Sequence, residues 1–194
     1  MRVLHVGAGM ETNIPTCFDG WDVFKLDIDP RMKPDILADI LDMGNVGKFD
    51  GLYSCHVLEH VYPHEVDVAL KEFKRVLYDD AICMTFVPDL EGVKADNEVL
   101  YKTGSGLGVS GLDLIYGHRV CIEQSKHMAH HTGFIKETLE KAFRDAGFEA
   151  VRILRYLSHN LFITAFPKKL TPKKAKEYEA LFSKHETFME IKHG

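Results

Sequence analysis

Leu4-His5-Val6-Gly7-Ala8-Gly9, followed about twenty residues later by Lys25-Leu26-Asp27-Ile28-Asp29-Pro30, decides how this chain folds. An apolar strand enters a glycine turn, and a second strand ends in a carboxylate. Glycine lacks a Cβ and tolerates positive φ, so the backbone at Gly7 and Gly9 can pass close beneath a ligand. Ala8 lies between them in the same turn, and Ile28 follows the carboxylate. Asp27 can accept hydrogen bonds from both hydroxyls of a ribose. A dinucleotide fingerprint G-x-G-x-x-G needs a third glycine at position 12, but Thr12 stands there with Glu11 beside it. A pyrophosphate would meet a carboxylate at that turn, and a nucleoside without phosphate would not. The turn therefore favours S-adenosylmethionine (SAM) over NAD or FAD.

The same order of pieces continues downstream. Ala38-Asp39-Ile40 comes next, then Phe49-Asp50-Gly51-Leu52-Tyr53-Ser54 and Val57-Leu58-Glu59-His60-Val61. A helix ends Arg75-Val76-Leu77, and a further strand ends Val87-Pro88-Asp89. In this spacing the chain resembles a class I SAM-dependent methyltransferase, including that family's frequent "LEHV" segment. The resemblance implies that Gly7, Ala8 and Gly9 admit the cofactor, and that Asp27 and Ile28 hold its ribose. It implies further that Asp39 and Ile40 face the adenine, and that Cys55 and His56 border the sulfonium.

Apolar runs alternate with segments of 3.6 periodicity, which reads as βαβ repetition around a parallel sheet. The strands expected are Arg2–Val6, Asp22–Asp27, Ile36–Leu37, Gly51–Cys55, Ala81–Val87, Glu149–Tyr156 and Asn160–Phe166. Helices are expected over His64–Leu77 and over Phe134–Ala146, the latter with Thr132 as N-cap and Gly147 just past its end. Leu157 to His159 is too short a link for a parallel crossover, so the last strand must run antiparallel. The expected fold is thus α/β, a Rossmann-like seven-stranded methyltransferase sheet with helices on both faces. Residues 10 to 21 carry Pro15 and little periodicity, so the usual first helix is expected to be short or missing.

Residues 1–167 read as the SAM-binding domain, with an insertion at about 90–131 between a strand and a helix. That insertion contains Thr103-Gly104-Ser105-Gly106-Leu107-Gly108-Val109-Ser110-Gly111 and reads as a substrate lid with glycine hinges. It leaves the carboxyl edge of the sheet, where α/β folds bind ligands. Residues 168–194 read as a helical extension, Lys173–Lys192, with Tyr178, Leu181, Phe182, His185 and Met189 on one face. Packing on its own domain is the first reading of that face, and a homodimer contact the second.

Composition sets bounds on partners. With 194 residues the chain fits one domain, large enough to bury roughly 70% of its unfolded surface. A net charge of −5 does not suit nucleic acid, whose binding rests on phosphate neutralisation. The exception is local, since Lys168, Lys169, Lys173, Lys174 and Lys176 crowd together, which reads as a solvated helix start or an anchor for an anion. No apolar run approaches the ~18 residues of a membrane span, so no membrane partner is expected. Cys17, Cys55, Cys83 and Cys121 show neither C-x-x-C pairing nor zinc spacing, and a reducing cytoplasm is the simplest compartment.

Methyl transfer often needs a base for the acceptor's proton, and histidine is the usual one near neutral pH. The segments Ile115-Tyr116-Gly117-His118 and Met128-Ala129-His130-His131-Thr132-Gly133-Phe134 resemble a bacterial methyltransferase subgroup with an "IYG … H-x-x-GF" pattern. Members of that subgroup are often associated with saccharide or cell-surface glycan pathways. The resemblance makes His130 the first choice as base or substrate contact, with His118 and Tyr116 beside it in the lid. The acceptor implied is a small molecule, with a saccharide hydroxyl as one form of it.

His56-Val57-Leu58-Glu59-His60 also fits H-x-x-E-H, a zinc-peptidase signature that works on a helix. Here it follows a strand, and Pro63 favours a helix starting later, so peptidase chemistry is not expected. Some methyltransferases acting on ribose or catechol-like hydroxyls bind a divalent metal through E-x-x-E-H at this place. His56 stands where they have the first glutamate, and no metal is assigned. The rival from another class is a catalytically silent protein of the same fold that serves as a binding or assembly subunit. The intact Gly7, Gly9, Asp27 and Asp39 set argues against it.

Overall fold

The computed structural model describes residues 1–10, 14–156 and 159–184, and of residues 181–184 the backbone alone. Glu11 and Thr12 of the glycine turn, Leu157, and His185 and Met189 of the expected C-terminal face lie outside the described residues.

Five parallel strands come first: β1 (Arg2–Val6), β2 (Asp22–Asp27), β3 (Ile36–Leu37), β4 (Phe49–Cys55) and β5 (Leu77–Pro88). The hairpin β6 (Val99–Lys102) and β7 (Gly108–Ser110) stands apart as a small second sheet. Strands β8 (Ala150–Tyr156) and β9 (Asn160–Phe166) complete the main sheet in the order β3-β2-β1-β4-β5-β9-β8. β9 is antiparallel to both β5 and β8, so it is the one reversed strand. The short link at 157–159 forces that reversal, and the sheet is the expected Rossmann-like one.

The pleat sends alternate residues to opposite faces. Leu4 and Val6 of β1 meet Leu26, Leu52 and Cys83 in one core, covered by α1 (Val66–Arg75) and α4 (Lys136–Asp145). Those helices present Val66, Ala69, Leu70 and Phe73, and Leu139 and Phe143, all buried. Val3, Tyr53, Ile82 and Met84 face the other way, into a second core with Phe18, Phe162, Phe166 and Tyr178. That face carries a 3₁₀ turn (Thr16–Phe18) and α5 (Pro172–Lys184). The first helix is thus reduced to one turn among the described residues. Gly51 makes this possible, because a Cβ there would meet Phe18 and Trp21 at 2.9 Å.

Several boundaries differ from expectation. α1 ends at Arg75, and Leu77 instead opens β5, where a bulge separates the pairs Phe49–Leu77 and Gly51–Ile82. α4 starts at Lys136, because Phe134 is still extended and bridges Asp89. Thr132 is consequently not an N-cap; its hydroxyl donates to the Val61 carbonyl at 2.6 Å and ties two loops together. Gly147 does follow the end of α4, at φ 91°.

The connection after β5 is ordered. Gly106 sits at the tip of the β6–β7 hairpin, where its amide donates to the Thr103 carbonyl at 2.8 Å. Ser110 then caps α2 (Gly111–Tyr116) in a reciprocal box with Asp113. After Gly117 come α3 (Arg119–Gln124) and a 3₁₀ turn (Lys126–Met128). The glycine-rich run forms a hairpin tip and a helix entry.

On α5, Tyr178 packs against Phe166 with ring centroids 4.9 Å apart, and its hydroxyl donates to the Asp80 carbonyl. This residue of the expected apolar face is thus used by its own domain. Lys168 pairs with Glu149, and Lys174 with Asp80 and Glu177, on the solvent side. No described helix is long and apolar enough to cross a membrane.

Candidate active site

The carboxyl ends of β1, β2 and β4 open into a cleft of about 760 Å³. Gly7, Gly9, Asp27, Ile28, Asp39, Ile40, Cys55 and His56 all line it. Ala8 does not; it is buried, and its amide points back to the Leu26 carbonyl at 3.3 Å.

The cofactor side of the cleft is built by backbone. Gly7 and Gly9 hold φ of 61° and 51°, and a Cβ on Gly7 would run into Val57. A Cβ on Gly9 would meet nothing within 4 Å among the described residues, and Gly9 lines the cleft. Asp27 clamps the turn: its Oδ2 accepts the Gly9 amide at 2.7 Å and its Oδ1 the Asp29 amide at 2.9 Å. Each oxygen keeps a second lone pair for a ligand hydroxyl. Asp29 opens the turn Pro30–Met32 and pairs with Arg31 at 2.5 Å. The hydrogen bonds from Arg31 hold its carboxyl down at about 2. Among the described residues, four carboxylates, Asp27, Asp29, Asp39 and Glu65, line the cleft against one guanidinium, Arg31.

The opposite side comes from the end of β4 and the insertion. His56 sits at φ 55°, an αL position that is strained for a side chain of this size. The chain then enters a 3₁₀ turn, Leu58–His60, so the H-x-x-E-H string is not on an α-helix. His56 Nδ1 lies 2.9 Å from Oε1 of the buried Glu59. Desolvation opposes the charge on both groups, yet their hydrogen bond and mutual attraction win: His56 is raised and Glu59 lowered from their ordinary values. His60 also lines the cleft, as do Cys121, Gln124, His127 and Met128 of the insertion. Adjacent acidic and imidazole groups in the "LEHV" segment are the sequence signal for Glu59 and His60.

The three candidate catalytic residues fare differently. His130 stands beside His60, with ring centroids 5.0 Å apart, and its Nδ1 lies 2.8 Å from the Leu114 carbonyl. Burial pushes its pKa below the usual histidine value, against the attraction of Glu59. His118 is turned away: its Nε2 meets the Gly108 carbonyl at 3.1 Å inside the insertion. Tyr116 is 61% exposed and takes part through its backbone carbonyl, which accepts the His130 amide at 3.0 Å. None of the three lines the cleft; His130 stands beside His60, which does.

Cys17, Cys55, Cys83 and Cys121 are all free thiols. Burial holds Cys17 well above the usual thiol range and pushes Cys83 up to about 12, so both are inert fillers.

Sheet order, reversed strand and cleft together define the Rossmann-like methyltransferase fold. Residues 4–85 match the family model described as a methyltransferase domain. Solved structures agree over nearly the whole chain. An S-adenosylmethionine dependent methyltransferase from Mesorhizobium loti is 17% identical with a TM-score of 0.59, over 85% of this chain and 90% of that one. The 1,6-didemethyltoxoflavin-N1-methyltransferase of Burkholderia thailandensis, bound to 1,6-didemethyltoxoflavin and S-adenosylhomocysteine, is 16% identical with a TM-score of 0.55, over 87% and 71%. A S-adenosylmethionine-dependent methyltransferase from Clostridium acetobutylicum is 10% identical with a TM-score of 0.56, over 87% and 84%. Among curated protein sequences nothing matches the chain.

Proposed function

We propose that this protein is a SAM-dependent methyltransferase acting on a small-molecule acceptor, with a hydroxyl, such as a saccharide hydroxyl, as the group methylated. The observation that carries the cofactor is the charge of the cleft, four carboxylates against one guanidinium. A dinucleotide's pyrophosphate would be repelled by that surface, whereas a sulfonium and an ammonium are attracted. The glycine turn and the free lone pairs of Asp27 suit an unphosphorylated ribose, and Asp39 suits an adenine amino group. When bound, SAM supplies a methyl carbon already activated by its sulfonium leaving group.

The chain's part is alignment, which is worth up to about 7–11 kcal/mol in such a reaction. Gly9, Asp27 and Asp39 fix the nucleoside along one wall, and Cys55 and His56 stand at the end of β4, toward the reacting centre. The insertion closes the other wall and holds His130. With Nδ1 donating to Leu114 and its basicity lowered by burial, the ring is neutral near pH 7 and its Nε2 has a lone pair free to take the acceptor's proton.

Calorimetry tests the cofactor. SAM and S-adenosylhomocysteine should each bind at one site, and NADH should not. Binding of NADH without SAM would overturn the reading.

A further inference from the structure

We propose that Glu59, His60 and His130 form a binding site for one divalent transition-metal cation at the inner wall of the cleft. One ligating atom from each of these residues lies within 4.8 Å of the other two. Residues from two distant segments have been brought to one point, and each has its ligating atom to spare.

Glu59 is 1% exposed. Its Oε1 is satisfied by His56, but its Oε2 is buried with no hydrogen-bond partner among the described residues. A buried carboxylate oxygen left alone is costly, and a cation is the group that answers it. Both imidazoles are set for the same task. His60 Nδ1 faces the Ala129 carbonyl at 3.1 Å, and His130 Nδ1 faces the Leu114 carbonyl at 2.8 Å. A carbonyl only accepts, so both Nδ1 atoms carry the proton and both Nε2 atoms carry a lone pair. That is how ligating histidines are oriented in metal sites.

The backbone holds the three together. The Glu59 carbonyl accepts the amides of His131 at 2.8 Å and Thr132 at 3.1 Å, and the His130 amide reaches Tyr116. His56 is no ligand here; it occupies Oε1 and leaves Oε2 to the cation. Two imidazoles and a carboxylate suit zinc, manganese or ferrous iron, and three protein ligands leave coordination open. His60 lines the cleft, so the open side faces the acceptor.

This deepens the proposed methyl transfer and rests on that reading only for the chemistry. A cation there lowers the pKa of an acceptor hydroxyl in its open position. The hydroxyl proton leaves to solvent and the oxygen's pair forms the bond to the methyl carbon. The carbon–sulfur pair goes to sulfur, which departs neutral. His130 would then act as a ligand rather than as the base.

Zn²⁺ and Mn²⁺ are titrated separately into the full-length, chelator-treated protein, with no SAM added. At least one should bind saturably at a single site. His60→Ala and His130→Ala should each weaken it at least about 100-fold, beyond the roughly 10–100-fold typical of orienting residues. Glu59→Gln should do the same, and if it fails to fold the two histidine variants carry the test. His64→Ala should bind as wild type. No saturable binding of either ion, or binding unchanged in both histidine variants, would overturn the site. A protein that binds the cation but not SAM would sink the methyltransferase reading and leave this one standing. SAM binding without cation binding would do the reverse.

Discussion

The two walls of the cleft are made in different ways. The cofactor wall is the carboxyl end of three parallel strands, fixed by β1, β2 and β4 in register and by the Asp27 clamp on Gly9 and Asp29. The wall that we assign to the acceptor is the insertion after β5, joined to the sheet by Glu59, Val61 and the Asp89–Phe134 bridge. One wall shares the core of the whole domain, and the other rests on it through a few polar ties. If stability and shape are separable in this way, the acceptor wall can change at little cost to the cofactor wall.

The largest expected effect lies in the core beneath the sheet. Phe143→Ala should cost about 3–5 kcal/mol of global stability in urea denaturation, because Phe143 is fully buried under the sheet. Leu114→Ala in α2 should shift the same midpoint far less, since the insertion can open on its own. Equal losses would mean that the two walls form one cooperative unit.

Asp27→Ala comes next. Removing a carboxylate that holds two amides should weaken SAM binding by about 1.5–3 kcal/mol in calorimetry. An unchanged affinity would remove Asp27 from the cofactor wall.

The smallest effect belongs to Gly117, whose φ is 91° and whose added Cβ would run into the Met128 carbonyl. Gly117→Ala should cost about 1 kcal/mol or somewhat more. It should raise KM for the acceptor while leaving SAM affinity intact. Hydrogen exchange sharpens the same contrast. Amides of residues 99–118 should exchange faster than those of β5 and slow when cofactor and acceptor are both bound. Protection equal to β5 in the free protein would erase the distinction.

The cofactor wall was legible in the sequence because its information is local. A strand, a glycine pair and a carboxylate sit within thirty residues, and β1, β2, β3 and β9 fall where the alternation of apolar residues places them. The acceptor wall was not. Tyr116 and His118 share a segment with His130, yet α2 and Gly117 turn only His130 toward His60. Nothing in the local pattern says which of His118, His127, His130 and His131 will meet Glu59, some seventy residues upstream. Thr132 misled for a similar reason. It has the chemistry of a cap, but its hydroxyl is used on Val61, a contact that only the folded chain creates.

The position of β9 reaches back to the birth of the protein. It is the last described strand, yet it fills the gap between β5 and β8. Residues 89 to 159, 71 in all, must leave the ribosome before it appears. At about 5–20 residues per second that takes roughly 4–14 s. Throughout that interval the edge of β5, apolar from Ala81 to Val87, has no partner beyond β4. An open apolar edge is a template for the wrong strand, including one from a neighbouring nascent chain. A message cut short before Asn160 would make that exposure permanent.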